Sequence, residues 1–104
     1  MASSLIEEVF NRINTHKGIE GIIICDINGI PIKSTFTDDQ VTYFYTTNAC
    51  FFIKRCSSLV KSLLEKESLS FIRIRTKINE IMIAPDKEFV LLVVQSSNTG
   101  IINS

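Results

Sequence analysis

Few side chains in this sequence of 104 residues have the types and spacing that acid–base or nucleophilic chemistry needs. His16 is the only histidine, and no cysteine or serine signature stands beside it, so a catalytic triad is not indicated. A general base would also need a pocket and an orienting residue, and the sequence shows neither. We assign His16 to the end of a helix, where a positive charge suits the helix dipole, and expect no enzymatic activity.

Ligands for a metal or a cofactor are also missing from the pattern. Asp26-Ile-Asn-Gly29 starts like a calcium-binding loop, but Ile30 and Thr37 stand where that loop needs oxygen ligands. No glycine-rich phosphate loop followed by lysine and serine or threonine is found. We therefore expect no metal site, no cofactor and no catalytic residue.

The cysteines Cys25, Cys50 and Cys56 are an odd number without metal-like spacing, which is typical of reduced thiols in a cytoplasmic protein. Cys50 and Cys56 lie six residues apart in one predicted helix. That spacing puts them about 120° apart around the helix axis, so they cannot chelate one metal together. We expect the thiols to stay reduced and free of metal.

The charge balance excludes two classes of partner. The 11 basic and 11 acidic side chains give a formal net charge of zero. A general nucleic-acid binder and a polybasic membrane-surface protein both need a basic excess. The longest apolar run, Phe89–Val94, is far too short for a membrane helix, and no signal peptide is visible. We expect a cytoplasmic protein that binds neither nucleic acid nor membrane.

Arg73, Arg75 and Lys77 form a short basic stripe in the second half of the chain. Only Phe71 supplies an aromatic ring beside it, which is too little for a nucleic-acid-binding stripe. The stripe fits an edge strand better, either as charges that deter unwanted pairing or as partners for acids across a dimer.

The length of the chain allows one domain. A chain of this size buries roughly 65% of its unfolded surface on folding, which suffices for one core and leaves little room for a second domain. We expect a single domain over residues 1–96 and a short polar tail over residues 97–104.

Periodicity divides the chain into two helices and five strands. A helix from Ser4 to His16 starts with a capping box formed by Ser4 and Glu7. Asn28-Gly29 lies between two apolar runs, which predicts a type I′ hairpin turn. The remaining elements are a long helix from Asp38 to Lys66 and strands at Leu69–Arg75, Glu80–Ala84 and Glu88–Gln95.

The element order α-β-β-α-β-β-β predicts an α+β sandwich: one five-stranded antiparallel sheet with a helix on each face. Ile22–Asp26 and Phe89–Val94 are apolar on both faces and should be the central strands. Ile30–Thr35 should form one edge, because Pro31 cannot donate to a ladder. Leu69–Arg75 should form the other edge.

The long helix carries more apolar surface than a sheet can cover. Its apolar arc spans roughly 200°, against about 100° for a helix that covers one sheet. Cys50, Lys54 and Lys61 lie opposite the arc and are expected in solvent. The face expected to pack on the sheet holds Val41, Tyr45, Ala49, Phe52, Cys56, Leu59 and Leu63, with a second stripe beside it.

That second stripe and the unprotected edge strand Leu69–Arg75 together predict a two-fold dimer. A long edge without proline or glycine invites pairing with another chain, and a two-fold pairing would bring the long helices together. The alternative is that Phe44 and Phe51 lie under a loop. The residues predicted at the dimer interface are Phe44, Asn48, Phe51, Arg55, Phe71, Ile72, Arg73, Ile74 and Arg75.

Two stretches resemble the roadblock-type dynein light chains. Lys17–Thr35 is similar to that family's first hairpin, and Leu69–Gln95 resembles its second half more closely. The most specific motifs of the resemblance are Arg73-Ile-Arg75, Asn79-Glu-Ile-Met and Ala84-Pro-Asp-Lys87. Three features depart from the family pattern: Ile78 stands at a turn position that is usually polar, residues 43–56 match weakly, and residues 98–104 are extra.

The resemblance implies a roadblock-like fold and a non-catalytic, homodimeric light chain of the dynein motor. Such a chain would bind the dynein intermediate chain and, through it, other dynein subunits. It would support motor assembly and cargo linkage in microtubule-based movement, in the cytoplasm and on the cytoskeleton. The alternative is a scaffold of the broader roadblock superfamily that regulates a small GTPase.

Overall fold

The computed structural model describes residues 2–97, with side chains from residue 7 onward. The elements, in chain order, are α1 (Ala2–Asn14), β1 (Ile19–Asp26), β2 (Pro31–Ser34), α2 (Asp39–Leu63), β3 (Ile72–Arg75), β4 (Asn79–Pro85) and β5 (Phe89–Ser96). All strand pairs are antiparallel, and the order across the sheet is β2-β1-β5-β4-β3. The predicted fold class, the two edges and the central strands β1 and β5 are confirmed.

The helices cover opposite faces of the sheet, and each face has its own core. Side chains alternate along β1, so Ile23 and Cys25 point to α2 while Ile22 and Ile24 point to α1. The buried core on the α2 side contains Ile23, Cys25, Ala49, Ile83, Val90 and Leu92. On the α1 side, Phe10 packs on Ile22 and Ile24.

Helix α1 begins at Ala2, two residues before the predicted N-cap, so Ser4 lies inside the helix and the predicted capping box does not start it. The helix ends at Asn14, and the His16 N–H donates to the carbonyl of Ile13 at 3.0 Å in the following turn. Gly18 then takes φ = 84°, a left-handed conformation that glycine adopts without strain. The predicted glycine stop is therefore confirmed, while the start was wrong.

The hairpin turn between β1 and β2 differs from the predicted type I′ turn. That turn needs positive φ at both central residues, but Asn28 has negative φ and Gly29 alone is positive, at 87°. The Asp26 carboxylate explains the difference, because its Oδ1 accepts the N–H groups of Asn28 (2.8 Å) and Ile30 (2.9 Å). The result is a longer hairpin loop in which only glycine is left-handed.

Helix α2 begins after Asp38, whose side chain accepts the Gln40 N–H at 2.9 Å as an N-cap. The side of α2 that faces the sheet is lined by Thr42, Thr46 and Ala49, all buried. This face is rotated from the predicted one. Four apolar residues that were expected on the sheet are exposed instead: Val41, Phe52, Leu59 and Leu63.

Two smaller differences concern where β3 begins and where the predicted tail begins. Strand β3 begins at Ile72, so Leu69 to Phe71 precede it as irregular chain. Ser97, the first residue of the predicted tail, is buried and donates through Oγ to the carbonyl of Lys77 at 2.8 Å. The rest of the predicted tail, residues 98–104, lies outside the described residues.

Neither helix in the described part of the chain has the length and apolar character needed to cross a bilayer.

Candidate interaction surface

One side of α2 is an exposed apolar stripe. Phe44 and Phe51 are 69% and 60% exposed and lie only about 20° apart around the helix axis, while Leu63, 70% exposed, lies about 100° from Phe44. Exposed apolar side chains grouped in this way make a candidate interaction surface. We call it the α2 stripe, and it consists of Val41, Phe44, Asn48, Phe51, Phe52, Arg55, Leu59 and Leu63.

Polar side chains of the α2 stripe contact its aromatic residues. The Arg55 guanidinium lies over the ring of Phe51, 5.3 Å from its centroid. The Asn48 side-chain amide donates to the carbonyl of Phe44 at 2.8 Å. The four helix residues predicted at an interface are therefore together on one exposed surface. A shallow cavity of about 480 Å³ adjoins them, lined by Phe51, Lys54, Arg55, Ser58, Leu59 and Ser62.

Strand β3 is the second part of the predicted interface. It pairs with β4 on one side and forms the edge of the sheet on the other. Ile72 and Ile74 are half-buried on the face covered by α2, whereas Arg73 and Arg75 are exposed on the opposite face. Among the described strands, β3 is the edge without a proline, so its outer backbone groups can pair with another strand.

The arginine nearest to Phe71 is already engaged within the chain. Arg73 Nε lies 3.3 Å from Glu80 Oε2, and its guanidinium is 5.9 Å from the centroid of Phe71. Glu80 is largely buried, and its other oxygen accepts from Gln95 Nε2 at 2.6 Å. One predicted role of the basic stripe was to pair with acidic side chains across a dimer. The acidic partner that Arg73 has here, Glu80, belongs to the same chain.

Cys50 was predicted in solvent, and that prediction was wrong. It is half-buried beside Cys25 of β1, with its Sγ 3.9 Å from the carbonyl oxygen of Asp26. Burial raises the pKa of the Cys25 thiol from 9.0 to about 12, and the adjacent Cys50 adds to the shift. Burial also raises the pKa of Cys50. Both thiols are protonated at neutral pH and are poor nucleophiles.

The residues considered for chemistry stay dispersed in the fold. His16 is exposed in the turn after α1. Within the described residues, no group of three histidine, cysteine or acidic side chains could hold a metal ion. The surfaces that stand out are therefore the α2 stripe and the β3 edge, both suited to binding other chains.

The fold and these surfaces are those of a small domain with candidate interaction surfaces, and comparison with known proteins gives its family. The chain belongs to the Roadblock/LC7 domain family, whose model matches residues 5–96. This family includes the roadblock-type dynein light chains, which the sequence motifs resemble.

Solved structures of low identity share the fold. A roadblock/LC7 domain from Streptomyces avermitilis is 7% identical, with a TM-score of 0.76 over 83% of this chain and 72% of that one. The gliding protein mglB of Thermus thermophilus is 10% identical, with a TM-score of 0.73 over 89% and 71%. An MglB with tetrameric arrangement is also 10% identical, with a TM-score of 0.75 over 92% and 73%. At these identities the likeness concerns the fold.

Proposed function

We propose that this chain is a non-catalytic scaffold that works as a homodimer and holds a partner protein. The observation that carries the proposal is the pairing of two unsatisfied surfaces, the α2 stripe and the free edge of β3. The exposed aromatic rings of the stripe favour burial against a second copy, and an open strand edge favours continuation of the sheet. The tetrameric arrangement of the similar MglB supports self-association as a property of this fold.

The dimer would use both parts of the interface in one two-fold arrangement. Two β3 strands pair antiparallel, so the two sheets join into one, and the long helices pack through their stripes. In this arrangement Phe44, Phe51 and Arg55 of α2 would contact the second copy, together with Ile72 and Ile74 of β3. The half-buried isoleucines would then be covered, which removes their remaining contact with water.

A small GTPase is the first candidate partner. The similar solved structures include MglB gliding proteins, and the broader roadblock superfamily includes scaffolds that regulate small GTPases. A symmetric dimer without chemistry of its own can act on a GTPase by holding it in one conformation. In this role the dimer would be a cytoplasmic regulator, with no cofactor.

The dynein intermediate chain is the second candidate partner. The observation in its favour is the sequence, because Arg73-Ile-Arg75 and Ala84-Pro-Asp-Lys87 resemble the roadblock-type dynein light chains. Two equivalent sites on a two-fold dimer would hold two intermediate chains side by side and raise their effective concentration. The protein would then act in motor assembly and microtubule-based transport.

The two candidates are separated by a direct binding experiment on the full chain. Immobilised protein is offered purified small GTPases, loaded with GDP or with a non-hydrolysable GTP analogue, and a dynein intermediate-chain peptide. We expect binding of a GTPase that depends on its nucleotide. Binding of the intermediate-chain peptide alone would reverse the order of the two candidates. Failure of both partners to bind an intact dimer would contradict the scaffold proposal.

A further inference from the structure

The β3 edge separates charge from apolar surface by alternation. In the β3–β4 ladder Ile72 faces Ile83 and Ile74 faces Ile81, and Ile72, Ile81 and Ile83 belong to the core under α2. The arginines between them therefore point to the other face of the sheet, the one that carries α1. Both are exposed there, and Arg73 lies beside the exposed ring of Phe71.

The two arginines compete for a single carboxylate. Arg75 faces Glu80 directly in the ladder register, yet Glu80 pairs diagonally with Arg73 at 3.3 Å. The second oxygen of Glu80 is taken by Gln95, at 2.6 Å. Across residues 7–97, no carboxylate oxygen lies within 4.0 Å of the Arg75 guanidinium. One chain therefore presents an uncompensated cation at the outer edge of its sheet.

Dimerisation through β3 would double this imbalance and concentrate it. In an antiparallel pair about a two-fold axis, the same face of both strands lies on the same side of the joined sheet. When the pair is centred on Arg73 or Ile74, in the middle of β3, the arginines of one copy stand beside those of the other. Directly opposed side chains have Cβ atoms about 5 Å apart, a distance at which like charges repel. Four arginines would meet at the axis, against two glutamates that are already paired.

We propose that Arg73 and Arg75 of both copies form a cationic seam that binds an acidic segment of a partner protein across the two-fold axis. This inference rests on the homodimer of the proposed function and names the chemistry of its partner. Carboxylates fit because guanidinium groups bind them in bidentate geometry. The partner's negative charge would offset the repulsion between the arginines, so partner binding and dimerisation favour each other.

The size and charge of the seam favour a protein segment over nucleic acid or an anionic membrane. The whole chain has zero net charge and so lacks the general basic excess that binding a phosphate backbone needs. Phe71, 51% exposed beside Arg73, offers an apolar contact that a peptide side chain can use. A short acidic segment with interspersed apolar residues matches both features.

The test uses a fluorescein-labelled peptide that alternates glutamate with leucine and serine, and a second peptide with glutamine at every glutamate. Binding is followed by fluorescence anisotropy, and the mass of each protein by light scattering. Arg75→Glu is the test variant, and Lys87→Glu, at an exposed position in the β4–β5 turn, is its control with the same change in charge. Single-stranded DNA and phosphatidylserine vesicles serve as competing anions.

We expect the wild-type dimer to bind the glutamate peptide more tightly than the glutamine peptide, and Arg75→Glu to weaken that binding at least about tenfold. Lys87→Glu should bind as the wild type does. Because Arg75→Glu relieves the repulsion at the axis, it should remain a dimer. Equal peptide binding by Arg75→Glu, loss of its dimer, or tighter binding of DNA or vesicles would overturn the seam while leaving a wild-type dimer intact. A monomeric wild type would instead reject the proposed function, and the seam with it.

Discussion

The ring of Phe36 fills the space directly over Gly21: a Cβ added to Gly21 would stand 2.1 Å from Cζ of that ring. Phe36 lies in the segment that leads into α2, and it stacks on Tyr45 of α2 with ring centroids 5.4 Å apart. Gly21 belongs to β1, one of the two central strands. The close approach therefore positions α2, with the interaction surface that it carries, against the middle of the sheet.

Replacing Gly21 with alanine should destabilise the fold, because the ring of Phe36 must move and its stacking on Tyr45 is lost. We expect the free energy of unfolding to fall by about 1–3 kcal/mol, as for other overpacked cores. Guanidinium denaturation followed by circular dichroism measures it. The double variant Gly21→Ala/Phe36→Leu should recover part of the loss. An unchanged unfolding midpoint for Gly21→Ala would show that the contact of Phe36 with Gly21 does not fix the position of α2 on the sheet.

A charge in the middle of the α2 stripe should prevent self-association. Phe51→Asp puts a carboxylate where an aromatic ring is expected to be buried, and such a residue at the centre of an interface can contribute about 2 kcal/mol or more. The dimer dissociation constant should then rise at least about thirtyfold, measured by sedimentation equilibrium.

Lys61→Asp is the control for that variant, because Lys61 is exposed on the same helix but lies ten residues from Phe51 and about 80° from it around the axis, outside the stripe. It should leave the dissociation constant unchanged. If both variants weaken the dimer equally, general effects on α2 account for the loss, and the stripe is not the contact surface.

The cysteine pair should make the fold less stable at high pH. The pKa of Cys25 is raised from 9.0 to about 12 by burial, so above pH 9 the unfolded chain releases a proton that the folded chain retains. Release from the unfolded state favours unfolding. The protonated Cys25 thiol therefore makes its full contribution to the free energy of unfolding below pH 9. As the pH rises toward 12 that free energy falls, by up to about 1.4 kcal/mol per pH unit.

Denaturation midpoints between about pH 8 and pH 11 measure this effect in the wild type and in Cys25→Ala, which cannot titrate at that position. The wild type should lose stability more steeply as the pH rises. Parallel curves for the two proteins would mean that the Cys25 thiol does not titrate differently in the folded and unfolded chains.

The sheet could be predicted because its signals are local. Strands β1 and β5 are apolar on both faces, which places them centrally, and Pro31 places β2 at an edge. The type I′ turn was predicted wrongly because Asn28-Gly29 was considered without Asp26. The Asp26 carboxylate accepts two N–H groups of the loop. A side-chain acceptor two residues before the turn changed its geometry.

The rotation of α2 could not be predicted from apolar residues alone. Thr42 and Thr46 count as polar, yet their hydroxyls bond to Ser34 Oγ (2.9 Å) and to the carbonyl of Tyr43 (3.3 Å), so both can be buried. Small side chains let the helix lie close to the sheet and turn its larger apolar residues outward. The contact between Cys25 and Cys50 depends on this rotation, so it too was missed.

The mass of the wild-type chain in solution tests the central claim most directly. Light scattering coupled to gel filtration, over a dilution series into the micromolar range, should give a mass near twice 11.7 kDa. A mass of 11.7 kDa throughout the series would contradict the homodimer, since the α2 stripe and the β3 edge would then remain uncovered by a second copy.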